Sequence, residues 1–160
     1  MSTIRPYVAL VLAFWLAAAL QQSLGHRVML AGGSFDFLLV VALSASVMCR
    51  PVVAAVLGFV AGVLLGGVTG SDTANFVVSR TLVAYAAGYV SLLDLEVRPW
   101  YVALVVIAGT AVSMVLMMIP APPPEVWPYL RYTIVSAVYN GVLAIPVYAV
   151  LRRSLRPKVN

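Results

Sequence analysis

Six long apolar runs, with charged residues confined almost entirely to their ends, constrain this chain more than any other feature of its sequence. A run of roughly 20 apolar residues is the length that an α-helix needs to cross the hydrocarbon core of a bilayer. Hydrophobic residues make up 63% of the 160 residues and charged residues only 9%, which leaves too little polar surface for a soluble domain of this size. The sequence therefore predicts an all-α, polytopic integral membrane protein.

The six runs and their short connections fill the chain, so we expect one transmembrane domain over residues 1–160. The predicted helices 1 to 6 cover about residues 6–24, 35–49, 52–68, 74–93, 100–119 and 129–151. Helix 2 is short for a full crossing, which suggests a thinned bilayer or a partly buried start near Gly33. The first run also resembles a signal peptide, but its retention as helix 1 is favoured because every later run is a spanning candidate too.

The positions of the basic residues predict how the helices are oriented. If the N-terminus is cytoplasmic, the cytoplasmic side holds Arg5, Arg50, Arg98, Arg152, Arg153, Arg156 and Lys158. The outer side then holds only Arg27 and Arg131, and Arg80 lies within helix 4. Positive charge concentrates on the cytoplasmic side of membrane proteins, so we expect both termini there. This bias also explains the surplus of ten Lys and Arg over five Asp and Glu without a nucleic acid partner.

Helix 3 carries a stripe of small residues spaced four apart, namely Ala54, Gly58, Gly62 and Gly66. Residues at this spacing share one helix face, and a face with almost no side chains lets a second helix approach closely. The stripe is therefore a packing surface. Internal packing is the favoured interpretation, and contact with a partner protein is the alternative.

Polar residues inside the predicted spans are the candidates for a specific role. Arg80 lies about two turns into helix 4, where a charge facing lipid is costly unless it reaches the interface or an acid. One interpretation makes Arg80 a ligand or partner contact, with Asp36 or Asp72 as its counter-ion. The alternative is that Arg80 is an anchor that reaches the interface or is paired internally. Asn140 lies near mid-membrane in helix 6, where backbone groups freed by Pro146 or neighbouring side chains are its expected partners.

The sequence contains few of the residue patterns that catalysis requires. His26 is the only histidine, Cys49 is the only cysteine, and no phosphate-binding Gly-Lys-Ser/Thr loop is present. The carboxylates are scattered and do not converge. We therefore expect no enzyme activity and no cofactor or metal.

Several short motifs carry a family resemblance over nearly the whole chain. They are Phe35-Asp36-Phe37-Leu38-Leu39, Cys49-Arg50-Pro51, the glycine-spaced helix 3, the stretch from Tyr139-Asn140-Gly141 to Pro146, and Leu151-Arg152-Arg153. In this pattern the chain resembles the bacterial rod shape-determining protein MreD family. The resemblance implies six helices in the bacterial inner membrane and a fold similar to the substrate-binding subunits of energy-coupling-factor transporters.

The resemblance also implies a function and partners. The chain would be a non-catalytic component of the elongation complex that binds MreC and helps organise peptidoglycan synthesis and cell shape. Through MreC it would meet MreB and the pair of RodA with a class B penicillin-binding transpeptidase. Trp15, Trp127 and Tyr129 are the expected apolar anchors for the partner, together with the proline-rich outer loop over residues 120–128.

Two other functions remain open from the sequence. The first is a vitamin-binding subunit of an energy-coupling-factor transporter, which would meet its coupling subunit through Ala9, Ala13 and Ala17 of helix 1. Polar residues able to recognise a vitamin are scarce, however. The second is a lipid-handling protein in which Arg80 meets the pyrophosphate of an isoprenoid carrier.

Overall fold

The computed structural model describes residues 5–25, 32–70, 72–93 and 97–155. The helices in these ranges are α1 (Arg5–Leu24), α2 (Phe37–Ser46), α3 (Pro51–Thr69), α4 (Thr73–Gly88), α5 (Pro99–Met118) and α6 (Val126–Leu155). A 3₁₀ turn over Tyr89–Leu92 extends α4. The predictions above for His26, Arg27, Arg156 and Lys158 lie outside the described residues.

Four of the helices, α1, α3, α5 and α6, are long and apolar enough to cross a membrane. The helix α2 has only 10 residues, and α4 has 16 before its 3₁₀ extension. An all-helical fold with several such helices is the architecture of an α-helical membrane protein.

Proline marks the first turn of two spanning helices. Pro51 begins α3 and Pro99 begins α5, and the preceding Arg50 and Arg98 have extended backbones. Proline fits this position because the first N–H groups of a helix have no partner within the helix. At its other end, α3 stops at Thr69 and is capped by Gly70, which has a left-handed backbone and donates its N–H to the Gly66 carbonyl at 2.8 Å.

The predicted starts of helices 2 and 6 were wrong, and so were their ends, because α2 ends at Ser46 and not at residue 49, and α6 ends at Leu155 and not at residue 151. Helix 2 was expected over residues 35–49, but Asp36 caps α2 by accepting the N–H of Leu39, so Phe35 and Asp36 are not helical. Helix 6 was expected to begin at residue 129 after a loop that ends at Pro128. Instead α6 begins at Val126, because Pro128 is tolerated within the first turn of a helix.

The short helix α2 forms the centre of the bundle. Every residue from Leu38 to Ser46 is buried, and α2 packs against each of the other five helices. A helix that is apolar on all sides fits only such a position. Its N-terminus therefore lies inside the protein, surrounded by side chains from its neighbours.

The small-residue stripe of α3 packs against α4 of the same chain. A Cβ atom added at Gly58 would lie 2.6 Å from the Cβ of Ala84, and one added at Gly62 would lie 2.5 Å from the Cα of Val77. One added at Gly66 would meet the Thr73 side chain. The alternative that this stripe binds a partner protein is therefore wrong for this structure, because α4 already covers it.

Candidate functional site: a buried polar centre

Arg80 and Asp36 form an ion pair in the interior of the bundle. Nη2 of Arg80 donates to Oδ2 of Asp36, and the two side chains are only 4% and 12% exposed. The structure thus selects Asp36, and not Asp72, as the acid that faces Arg80. The guanidinium also lies over the Phe76 ring, 4.9 Å from its centroid, where a cation–π contact adds attraction.

The length of α6 puts this ion pair about midway between two arginines whose separation fits the two boundaries of a bilayer core. Arg131 and Arg152 of α6 are separated by about 32 Å at 1.5 Å per residue, which matches a hydrocarbon core of roughly 30 Å. Asn140, which contacts Asp36, is about 14 Å from Arg131 on the same scale. Ionisable groups at this depth occur in proteins mainly when they are paired and have a specific role.

Asn140 ties the start of α2 to α6 and α5. Its Oδ1 accepts the backbone N–H of Asp36 at 2.9 Å, and its Nδ2 donates to Oγ1 of Thr110 at 3.3 Å. Asn140 is fully buried, so both bonds replace contacts with water. Asn140 thus bonds to the side chain of Thr110 on α5 and to the backbone N–H of Asp36 just before α2, and not to a backbone group freed by Pro146.

Residues 33–36 run in a non-helical conformation along α6 towards the bilayer centre. A Cβ on Gly33 would lie 2.6 Å from Cγ1 of Val135, so this close approach requires glycine. The N–H of Ser34 donates to Oγ of Ser136 at 3.0 Å, and the Ser34 hydroxyl bonds to the hydroxyl of Tyr132. Non-helical backbone at membrane depth is stable only when its polar groups are satisfied by protein or by water in a cavity, and α6 supplies this here.

Gln21 of α1 satisfies the other side of the same segment. Its Oε1 accepts the N–H of Phe37 at 2.9 Å, and its Nε2 donates to the carbonyl of Phe35 at 3.3 Å. One side-chain amide therefore bridges the two backbone groups at the break that precedes α2.

The polar centre is arranged for electrostatic pairing and hydrogen bonding. One positive and one negative charge face each other, and the carboxylate of Asp36 also accepts a backbone N–H at the N-terminus of α2, where a negative charge is favoured. Nε and Nη1 of Arg80 are buried without a hydrogen-bond partner in the described part of the chain. Side chains of this centre join α1, α2, α4, α5 and α6. Three of the residues selected from the sequence meet here, namely Asp36, Arg80 and Asn140.

The remaining candidate residues lie away from this centre. Trp15 on α1 and Trp127 on α6 are 70% and 83% exposed, as expected for anchors at a surface. Tyr129 is half-buried, and its hydroxyl donates to the Met114 carbonyl at 2.9 Å, so it stabilises the α5–α6 pair of its own chain. Arg50 is exposed beside the start of α3 and makes no side-chain cap bond there.

Sequence reasoning missed Gln21, Ser34, Thr110, Tyr132 and Ser136. Each is an uncharged polar residue next to or within an apolar run, and such residues are also common on helix surfaces. The one available signal was the shortness of helix 2, which implies a backbone break whose polar groups need partners at that depth.

No family model matches the chain, no curated protein matches it, and no solved structure matches it. The functional interpretation below therefore depends on the chain's own residues and on the resemblance carried by its motifs.

Proposed function

We propose that this chain is a non-catalytic, multi-pass component of the bacterial inner membrane that acts as MreD does in the rod complex. In this role it binds MreC, and through MreC it meets MreB, RodA and a class B penicillin-binding transpeptidase, so that it helps organise peptidoglycan synthesis and cell shape. The supporting observation is the contact between Asp36 and Asn140. These are the polar positions of two motifs of the resemblance, 104 residues apart in sequence, and they meet in the bundle core.

The proposal includes six crossings and two cytoplasmic termini. The ten residues of α2 span about 15 Å, and the four non-helical residues before it add at most roughly 13 Å, so the two together approach the thickness of the hydrocarbon core. The 16 residues of α4 and its 3₁₀ turn reach about 32 Å. With six crossings the exposed Arg50 and Arg153 lie on the cytoplasmic side, as the charge bias requires. A fold like that of energy-coupling-factor substrate-binding subunits is part of the same proposal.

An adaptor role suits the distribution of polar groups. The side chains of Gln21, Asp36, Arg80 and Asn140 bond to one another or to the backbone inside the bundle, so they hold its helices together. The exposed Trp15 and Trp127 lie on α1 and α6, which pack against each other. We propose that the transmembrane helix of MreC lies along α1 and that its periplasmic continuation contacts the α5–α6 connection.

Co-purification of the full chain with MreC in detergent tests this function. We expect MreC to be recovered with the wild-type chain, and Trp15→Ala and Trp127→Ala to lower the recovery, because exposed tryptophans are frequent anchors of protein interfaces. Trp100→Ala is the matched control, since Trp100 is an exposed tryptophan at the start of α5. Recovery of no MreC with the wild-type chain would contradict the proposed function. Equal recovery with all three variants would contradict the proposed surface.

The vitamin-transporter alternative has one observation in its favour. An open cavity of about 670 Å³ lies beside the first two turns of α6, at the end of the bundle where vitamin would enter under the proposed topology. Arg131 and Tyr132 are the polar side chains among its described lining residues, so few groups are available to recognise a vitamin. Native mass spectrometry of the purified chain distinguishes the two functions, because a co-purified vitamin would support the transporter subunit and count against the adaptor.

A further inference from the structure

The open cavity beside the start of α6 has a composition that fits a charged headgroup. Its described lining residues are Gly32, Trp127, Pro128, Arg131 and Tyr132. Trp127 and Arg131 are four residues apart, so they lie on the same face of α6, with Pro128 between them. A cation and an exposed indole therefore flank one concave surface.

The cavity lies at the level of the lipid phosphates. Because Arg131 and Arg152 are about one hydrocarbon thickness apart along α6, each lies at one boundary of the hydrocarbon core. Trp127 lies one turn further out, where tryptophan is enriched in membrane proteins. The cavity at this end of α6 is therefore next to the phosphate groups of one leaflet.

Arg131 is free to bind a ligand. Its side chain is exposed and makes no hydrogen bond or ion pair with another residue of the described part of the chain. By contrast, Arg80 is paired with Asp36, and the Tyr132 hydroxyl is bonded to Ser34. The planar guanidinium of arginine matches two oxygens of a phosphate, so Arg131 is the group that would carry recognition.

From these observations we propose that the cavity binds one anionic phospholipid by its headgroup. Arg131 donates two hydrogen bonds to the phosphate, and the Trp127 indole packs against the glycerol region. Gly32 leaves the adjacent wall open, since a Cβ at this position would meet no atom within 4 Å. The lipid is the committed ligand because the cavity and the phosphates share the same depth. Trp127 also belongs to the proposed MreC surface, but the test below uses the chain without MreC, so its outcome is separate from that of the MreC co-purification.

Native mass spectrometry of the full chain in detergent, titrated with phosphatidylglycerol or phosphatidylcholine, tests the site. We expect one phosphatidylglycerol to bind more tightly than phosphatidylcholine, and Arg131→Gln to weaken this binding about fivefold. Arg131→Lys keeps the positive charge but lacks the planar guanidinium that can bond two phosphate oxygens, so we expect an intermediate loss of phosphatidylglycerol binding. Arg153→Gln is the matched control, because Arg153 is exposed at the opposite end of α6 and lines none of the described cavities.

Three results would overturn the proposal. The first is unchanged phosphatidylglycerol binding by Arg131→Gln, and the second is an equal loss in Arg153→Gln, which would indicate binding by charge alone. The third is displacement of the lipid by soluble glycerol 1-phosphate, which would identify a water-soluble phosphate compound as the ligand. Unfolding of each variant in sodium dodecyl sulfate checks that the exposed substitutions leave the fold unchanged.

Discussion

Replacing Asp36 with asparagine isolates the contribution of charge at the polar centre. Asparagine keeps the size of the side chain and an oxygen that accepts the N–H of Leu39, so the cap of α2 is preserved. The substitution removes the negative charge opposite the Arg80 guanidinium. The variant therefore holds an uncompensated positive charge near mid-membrane.

The expected cost follows from the burial of the pair. Removing one partner of a buried ion pair costs roughly 3–5 kcal/mol. Arg80 is only 4% exposed, so water relieves little of this cost, whereas the Phe76 ring retains about 1 kcal/mol of cation–π attraction. We expect Asp36→Asn to lower the free energy of unfolding by about 3–4 kcal/mol. Removing both charges with Asp36→Asn and Arg80→Met should recover most of the loss, because apolar replacement of a buried pair is often neutral.

The assay is reversible unfolding by sodium dodecyl sulfate in mixed micelles, followed by far-UV circular dichroism. The wild type, both single variants and the double variant complete a double-mutant cycle. A loss below about 1 kcal/mol for Asp36→Asn would refute the reasoning, because it is typical of exposed ion pairs. A double variant as unstable as Asp36→Asn would also refute it, since the lost stability would then not come from the unpaired charge.

Three further predictions use the same preparation. Gly58→Ala should lower the free energy of unfolding by about 1–3 kcal/mol, because the added Cβ meets the backbone of α4. Gly67→Ala is the control and should not destabilise the chain, because a Cβ there meets no atom within 4 Å. Equal unfolding curves for the two variants would contradict this packing. Asn140→Leu should lower the free energy of unfolding by about 1–3 kcal/mol, because it leaves the buried backbone N–H of Asp36 unpaired. Thr110→Val should lower it by less, since it removes only the bond to the Asn140 side chain. The reverse order would contradict the assigned bonds. Burial raises the pKa of the Cys49 thiol in the α2–α3 turn. Its labelling by maleimide should therefore be slower than that of free cysteine near neutral pH, and the rate should rise at higher pH. A rate equal to that of free cysteine would be inconsistent with this burial.

The sequence was sufficient for the elements that depend on local rules. Apolar length indicated the long helices, and the predicted starts of helices 3 and 5 at residues 52 and 100 lie one residue after Pro51 and Pro99, where α3 and α5 begin. The spacing of Gly58 and Gly62 indicated a closely packed face. These features depend on residues near one another in the chain, so one sequence is enough to read them.

The partners within the polar centre depend on how the helices pack, and the sequence alone left them open. Both Asp36 and Asp72 were available to Arg80, and the choice depends on how deeply the chain enters the bundle before α2 begins. Asp72 precedes α4 and lies eight residues from Arg80, which corresponds to about 12 Å along the helix axis. Asp36 meets Arg80 because residues 33–36 are non-helical and run along α6 into the bundle, and no local pattern encodes that path.

The break before α2 gives a physical reason for the polar centre. A full-length apolar helix at the middle of the bundle would satisfy its own backbone and need no polar neighbours. Because α2 begins at mid-depth, its first N–H groups and the segment before it need partners, and Gln21, Asn140 and Asp36 provide them. The negative charge at this cap then requires Arg80, since an unpaired carboxylate would be costly there. Each polar group thus fixes the position of α2 against a different neighbour, so the centre should keep the bundle rigid while its outer faces contact a partner.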